Sequence, residues 1–184
     1  IIGGMLGQVA GLWHLSAMQG SYLVSALVVG IAIGAILFGY YADRKGRKKM
    51  FIFSLVWYAV LSVAAAFSWN FTSLLTFRFL TALAIGGEYS AVMAAMVEFI
   101  PKRHRGKTSA LILAGYPLGG VLSALTSMYC LNHLSANLGW RIGFGLGGVL
   151  AILGLWIRFA IPESPRWLLT HGFANKAKTI VRLV

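Results

Sequence analysis

Five long apolar runs, joined by connections that alternate between basic and uncharged, constrain this chain more than any other feature. The runs cover roughly Gly20–Ala42, Met50–Ser68, Thr72–Ile100, Ser109–Cys130 and Trp140–Ile161. A bilayer core about 30 Å thick takes a helix of about 20 apolar residues, so each run is long enough to cross. Ile1–Leu12 is apolar too, but shorter. It reads as the outer half of a further span whose beginning has been cut away.

Charge sets the expected orientation. Of the 16 Lys and Arg residues, five lie in Arg44–Lys49, four in Lys102–Lys107, and five after the core of the last run: Arg158, Arg166, Lys176, Lys178 and Arg182. Arg78 and Arg141 are the remaining two. The other connections, Trp13–Gln19, Trp69–Phe71 and Leu131–Gly139, carry no Lys or Arg. Short basic loops stay in the cytoplasm. The chain is therefore expected to cross six times with both ends inside and its basic loops cytoplasmic.

A net charge of +12 would suit a nucleic-acid binder, but 59% of the residues are hydrophobic and only 11% charged. The cations sit in short loops at span ends and not on a basic face of a soluble core, so nucleic acid is set aside as a partner and lipid takes its place. A single cysteine, Cys130, rules out an internal disulfide and reads as a small apolar packer. His14, His104, His133 and His171 lack metal-ligand spacing, so no metal site is expected. The Gly143–Gly148 stretch fits G-x-G-x-x-G but follows no strand, so it is no dinucleotide cradle and no cofactor is expected. The Asn70-Phe71-Thr72 sequon lies in a loop too tight to the membrane for glycosylation.

Small residues recur every fourth position: Gly3, Gly7 and Gly11; Gly30 and Gly34; Gly115 and Gly119; Gly143 and Gly147; and Ala82, Gly86, Ser90 and Ala94. This spacing puts them on one helix face, where backbones can approach closely. Tight static packing and sliding faces for a conformational change are both compatible with it.

Three motifs carry more particular information. The first is Gly39-Tyr40-Tyr41-Ala42-Asp43-Arg44-Lys45-Gly46-Arg47-Lys48-Lys49, between the second and third spans. The second is Glu98-Phe99-Ile100-Pro101-Lys102-Arg103-His104-Arg105-Gly106, closing the fourth. The third is Pro162-Glu163-Ser164-Pro165-Arg166-Trp167-Leu168-Leu169, after the sixth. The first resembles the signature loop of the major facilitator superfamily, G-x-x-x-D-[RK]-x-G-x-[RK]-[RK]. The others resemble elements of its sugar and metabolite porters, as does Gly139-Trp140-Arg141.

The resemblance implies an all-α membrane protein: the N-terminal six-helix half of a major facilitator fold, with its first helix truncated, in residues 1–161. A cytoplasmic linker would follow in residues 162–184, Ser164 capping a short helix that Gly172 ends. Ala177, Ile180, Val181 and Val184 would line one face of an amphipathic segment there. The resemblance also implies a cytoplasmic gate, in which Asp43, Arg47, Glu98, Arg105, Glu163 and Arg166, with Gly39, Arg44 and Gly46 of the loop, bind two halves together and let go when the inside opens. Fixed topological anchoring is the plainer alternative for these charges.

Glu88 stands apart among the four acids, because it falls near the middle of its span. A carboxylate there is costly unless it faces a cavity, pairs or takes up a proton. It is the candidate for proton coupling or substrate contact, with Tyr89, Arg78 and Tyr116 beside it. Arg78, ten residues and about 15 Å away along a helix, could snorkel outward or face the cavity. Pro117, in Gly115-Tyr116-Pro117-Leu118-Gly119-Gly120, is expected to break and bend the fifth span.

The reading is a secondary active transporter of a small polar metabolite, an organic acid or similar, with symport of protons expected to rest on Glu88. Its substrate would bind between this half and an absent C-terminal six-helix half. A facilitative or proton-coupled sugar carrier is the alternative, and a non-transporting receptor of the same fold is another. No nucleophile–base–acid set appears that would make the chain an enzyme.

Overall fold

The computed structural model describes residues 7, 9–159, 163–170, 172, 173 and 175. Among these the chain is helical, with no strand. Residue 7 and residues 9–12 are helical and form the end of α1. Next come α2 (Ala17–Lys45), α3 (Arg47–Ala66) and α4 (Phe71–Phe99). A 3-10 turn (Lys102–His104) leads to α5 (Arg105–His133), α6 (Ala136–Phe159) and the short α7 (Pro165–Thr170).

Hydropathy places these helices, but local chemistry sets their ends. Before α2, Ser16 and Gln19 form a reciprocal capping box, with Ser16 N donating to Gln19 Oε1 at 2.9 Å and Gln19 N to Ser16 Oγ at 3.2 Å. Asn70 and Ser73 repeat the device before α4, with Ser73 N donating to Asn70 Oδ1 at 2.7 Å. The Asn70 side chain is thereby committed to a cap. α2 and α5 each run several residues past their apolar runs, into Arg44–Lys45 and Arg105–Thr108, because a polar turn is as helical as an apolar one. Gly46 alone joins α2 to α3, at φ +102°, a conformation that favours glycine.

The most extensive packing joins α2 to α4, followed by α3 with α6 and α3 with α4. Small residues make the α2–α4 contact. A methyl group added at Gly30 would lie 2.6 Å from Ala82 Cβ and 2.9 Å from the Phe79 carbonyl. One added at Gly34 would meet the Leu83 backbone, and one at Gly86 the Ile31 carbonyl. These backbones approach as a four-residue small-residue spacing allows. On α6, Gly148 lies against Val63 and Ala59 of α3 in the same way.

Two expectations fail. Nothing lies within 4 Å of an added methyl at Gly7, Gly11, Gly115, Gly119 or Gly120, so those glycines are not packing faces among the described residues. For the three on α5 the reason is that this helix packs sparingly: only 6% of its apolar span is buried, against 39% for α3. Nor does Pro117 break α5, which is one helix from Arg105 to His133. A single missing N–H leaves the neighbouring turns free to carry the helix through.

Among the described residues, four helices, α2, α3, α5 and α6, are long and apolar enough to cross a membrane, and their outer faces carry large apolar side chains such as Ile36, Val60, Leu111 and Trp156. At the uncharged end, the core gathers Val9, Leu23, Ala65, Leu74, Cys130, Trp140 and Phe144. Cys130 is buried there as a free thiol. A smaller cluster of Phe51, Leu55 and Ala91 lies toward the basic end.

Candidate functional site

Two groups of predicted residues occupy two levels of the bundle. At the basic end, the Arg47 guanidinium donates to Asp43 Oδ1 at 3.2 Å across one turn of the α2–α3 joint. Asp43 is largely exposed, its side chain at 71%, so this pair on its own contributes little stability. Glu163, arriving from the far end of α6, is better placed. Its Oε1 accepts from the Lys48 N–H at 2.9 Å and from the Ser164 N–H at 3.1 Å. A carboxylate on the first turn of α3 satisfies an orphan donor and meets the positive end of the helix dipole.

Gly46 makes room for that contact: a methyl there would lie 2.9 Å from Glu163 Oε2. A small pocket between Asp43, Arg47, Trp167 and Thr170 closes the group. Ser164 Oγ accepts from Trp167 N at 3.1 Å as the cap of α7, and Gly172 follows at φ +83°.

Some of the residues expected at a gate lie together at the basic end. Asp43, Gly46, Arg47 and Glu163 meet. Glu163 binds the backbone N–H groups of Lys48 and Ser164. The Arg105 Nε donates to the Ile100 carbonyl at 3.0 Å, closing the turn between α4 and α5. The Arg44 guanidinium lies 4.2 Å from the centre of the Tyr40 ring. Gly39 faces Ser90 of α4, whose Oγ would be 4.0 Å from an added methyl. The side chains of Glu98 and Arg166, and the predicted amphipathic segment from Ala177 to Val184, lie outside the described residues.

Deeper in the bundle, Glu88 sits part-buried on α4, with Tyr89 exposed beside it. From α5, Tyr116 lies within electrostatic reach of both. From α3, Tyr58 lies within electrostatic reach of Glu88 and Arg78. Tyr116 also borders an open groove of about 500 Å3 along α5, lined with Ile112, Gly115, Gly119, Gly120 and Ser123. Three of the four interior candidates, Glu88, Tyr89 and Tyr116, therefore converge on one region.

Arg78 takes neither place expected of it. It is 8% exposed, turned inward, with its guanidinium carbon 3.8 Å from the centre of the Phe144 ring. An aromatic face on α6 provides the seat for the cation. Its Nε has no hydrogen-bond partner among the described residues. The Ser62 hydroxyl donates to the Phe144 backbone carbonyl at 2.9 Å, tying α3 to α6 beside this contact.

One turn earlier on α6, Arg141 donates to the Ala66 carbonyl at 2.7 Å, the Ser68 carbonyl at 3.1 Å and Asn137 Oδ1 at 3.1 Å. It caps the end of α3 with side-chain donors. Tyr58, Ser62 and Phe144 were not marked out by their sequence for this region, and Arg141 stood out only within Gly139-Trp140-Arg141. The only hint was a tyrosine and a serine four residues apart inside an apolar run.

The model of the family described as "Sugar (and other) transporter" matches residues 6–183. The niacin transporter NiaP of Acinetobacter baylyi is 34% identical over 172 residues, covering 94% of this chain and 38% of the relative. The 3-(3-hydroxy-phenyl)propionate transporter of Escherichia coli is 33% identical over 162 residues, covering 88% of this chain and 38% of the relative. The solved structure of the major facilitator superfamily proton:xylose symporter XylE superimposes with a TM-score of 0.88 at 21% identity, covering 98% of this chain and 44% of that one. The chain spans less than half the length of each of these three proteins.

Proposed function

We propose, on the premise that this chain belongs to the sugar (and other) transporter family of the major facilitator superfamily, that it forms the N-terminal half of a secondary active transporter for a small organic acid. Transport proceeds by alternating access, with the substrate held between this half and a second six-helix half near the bilayer midplane. The protein sits in the cell membrane with its basic loops in the cytoplasm. Residues 1–161 form the transmembrane bundle and residues 162–184 the cytoplasmic linker. Asp43, Gly46, Arg47 and Glu163 hold the basic end closed and separate when it opens, together with Glu98, Arg105 and Arg166.

The observation that carries this reading is the convergence of Glu88, Tyr89 and Tyr116 in mid-bundle. An ionisable residue at that depth marks a substrate or ion path. Glu88 takes up the co-transported proton, and the two tyrosines contact the substrate. The organic-acid class draws its support from relatives named for niacin and for 3-(3-hydroxy-phenyl)propionate. A sugar carrier is the second reading, supported by the fold shared with XylE. Uptake into proteoliposomes by the full-length protein separates the two: acids and not sugars are taken up, an inward proton gradient drives accumulation, and Glu88→Gln removes that drive while leaving downhill exchange. Equal accumulation with and without the gradient, in wild type and variant alike, refutes proton coupling.

A further inference from the structure

Glu88 follows two glycines, and α2 lies against both. A methyl added at Gly86 would meet the Ile31 carbonyl and lie 2.6 Å from the Ala35 nitrogen. One added at Gly87 would lie 2.6 Å from Phe38 Cγ and 2.8 Å from Phe38 Cβ and Cδ1. The Gly86 contact is backbone on backbone, continuing the approach made at Gly30 and Gly34. The Gly87 contact is of another kind. A large side chain of α2 rests on the bare backbone of α4, one residue before the carboxylate.

Phe38 is itself held by α3. Its ring stacks on Phe53, with centroids 6.0 Å apart. Phe53 lies against Trp57 at 5.6 Å, and Trp57 Nε1 donates to the Leu80 carbonyl of α4 at 3.1 Å. This series of contacts leaves α4 at Gly87 and returns to it at Leu80, about two turns away. The Gly87 carbonyl is engaged as well, accepting from the Ser90 hydroxyl at 2.9 Å. Successive helical residues are about 100° apart, so with Gly86 and Gly87 both against α2, Glu88 projects away from that helix.

We infer that Gly87 is a positioning residue for Glu88: its bare backbone seats the Phe38 side chain, and that seat fixes where α4 holds the carboxylate of the next residue. The inference rests on the proton-symport reading. Any side chain at position 87 collides with Phe38 Cβ as well as with its ring. Rotation about χ1 moves the ring but leaves Cβ in place, so the collision is relieved by a shift of α4, which carries Glu88 with it. Small displacements of this kind matter in a site that must hold reacting groups in fixed geometry, where about 1 Å can cost about a hundredfold in rate.

The test is a ratio: gradient-driven accumulation of a radiolabelled aromatic acid over its downhill exchange, measured in the same proteoliposomes with the full-length protein. The amount of folded protein cancels from this ratio, so a merely structural role does not move it. Gly87→Ala should lower the ratio roughly tenfold, and Phe38→Ala, which withdraws the support without a collision, about threefold. Phe38→Gly combined with Gly87→Ala passes the glycine from α4 to α2 and removes all three colliding atoms. That double variant should return to within about twofold of wild type, the non-additivity expected of residues in contact.

A wild-type ratio in Gly87→Ala, whatever its melting temperature, overturns the inference. So does a double variant that folds and is no better coupled than Gly87→Ala alone. If Gly87→Ala does not fold, Phe38→Ala carries the test, and a wild-type ratio there overturns the inference. Wild-type uptake that ignores the proton gradient sinks the symport reading and this inference with it. A gradient response abolished by Glu88→Gln but kept at the wild-type ratio in Gly87→Ala and Phe38→Ala sinks this inference alone.

Discussion

The Glu163 carboxylate accepts the Lys48 backbone N–H at 2.9 Å, joining two residues 115 positions apart. It thereby ties the segment after α6 to the first turn of α3. Two features make the bond specific. Gly46, the N-cap of α3, offers no side-chain cap of its own, so the helix end depends on a donor-satisfying group from elsewhere. The positive backbone angle of Gly46 also leaves the space that Glu163 Oε2 occupies.

Removing this cap should cost stability. Glu163→Ala is expected to lower the folding free energy by about 1 kcal/mol, the usual value of a lost helix N-cap. Gly46→Ala should cost more, since it strains the backbone and crowds the same carboxylate. Thermal unfolding of the purified full-length protein in detergent checks both. A melting temperature unchanged in Gly46→Ala would show that the joint is not built as described.

The glycines divide into two classes with opposite expectations. Gly34→Ala and Gly86→Ala force apart backbones in contact, because the added methyls meet the Leu83 backbone and the Ile31 carbonyl. Each should destabilise by about 1–3 kcal/mol, as overpacking does. Gly115→Ala and Gly119→Ala meet nothing within 4 Å and should leave the melting temperature of this bundle unchanged or slightly raised, given alanine's helix propensity. Equal losses in both classes would contradict the packing assigned to α2 and α4.

Arg141 should resist conservative replacement. Its guanidinium serves two carbonyls at the end of α3 and Asn137 at once, a fork that a lysine ammonium does not match. Arg141→Lys is expected to lose about half of what Arg141→Ala loses, and the alanine variant roughly 1–3 kcal/mol for stranded acceptors. Chemical denaturation of the two variants in mixed micelles measures the ratio. A lysine variant as stable as wild type would show that one bond suffices.

How far the sequence revealed this molecule depends on what kind of contact is in question. The spans were legible because apolar length is a property of consecutive residues. Close approach of α2 and α4 was legible in Gly30, Gly34 and Gly86, since only small residues permit it. The cap of α7 was legible in Ser164 and Gly172 for the same local reason. Helix ends were less so: α5 starts at Arg105, well before its apolar run, because a polar first turn is as helical as the rest. The partner of Glu163 was hidden, since a backbone N–H leaves no mark in the sequence. Arg78 was misplaced because its seat, Phe144, is 66 positions away on another helix. Pro117 misled because one missing hydrogen bond does not end a helix.

Orientation is open to a direct chemical check. The native Cys130 is 2% exposed and should not react with a membrane-impermeant maleimide in intact cells. Ser135→Cys, in the connection between α5 and α6, should label from outside. Lys107→Cys, in the first turn of α5, should label only after permeabilisation. The reverse pattern would invert the proposed topology.

The account as a whole turns on Glu88 as the group that links a proton to the movement of an organic acid. The decisive measurement is uptake of a radiolabelled aromatic acid by the full-length protein in proteoliposomes, with and without an inward proton gradient, in wild type and Glu88→Gln. The account predicts accumulation above equilibrium in the wild type only when the gradient is present, and bare equilibration in Glu88→Gln under either condition. Gradient-driven accumulation that survives in Glu88→Gln would contradict it.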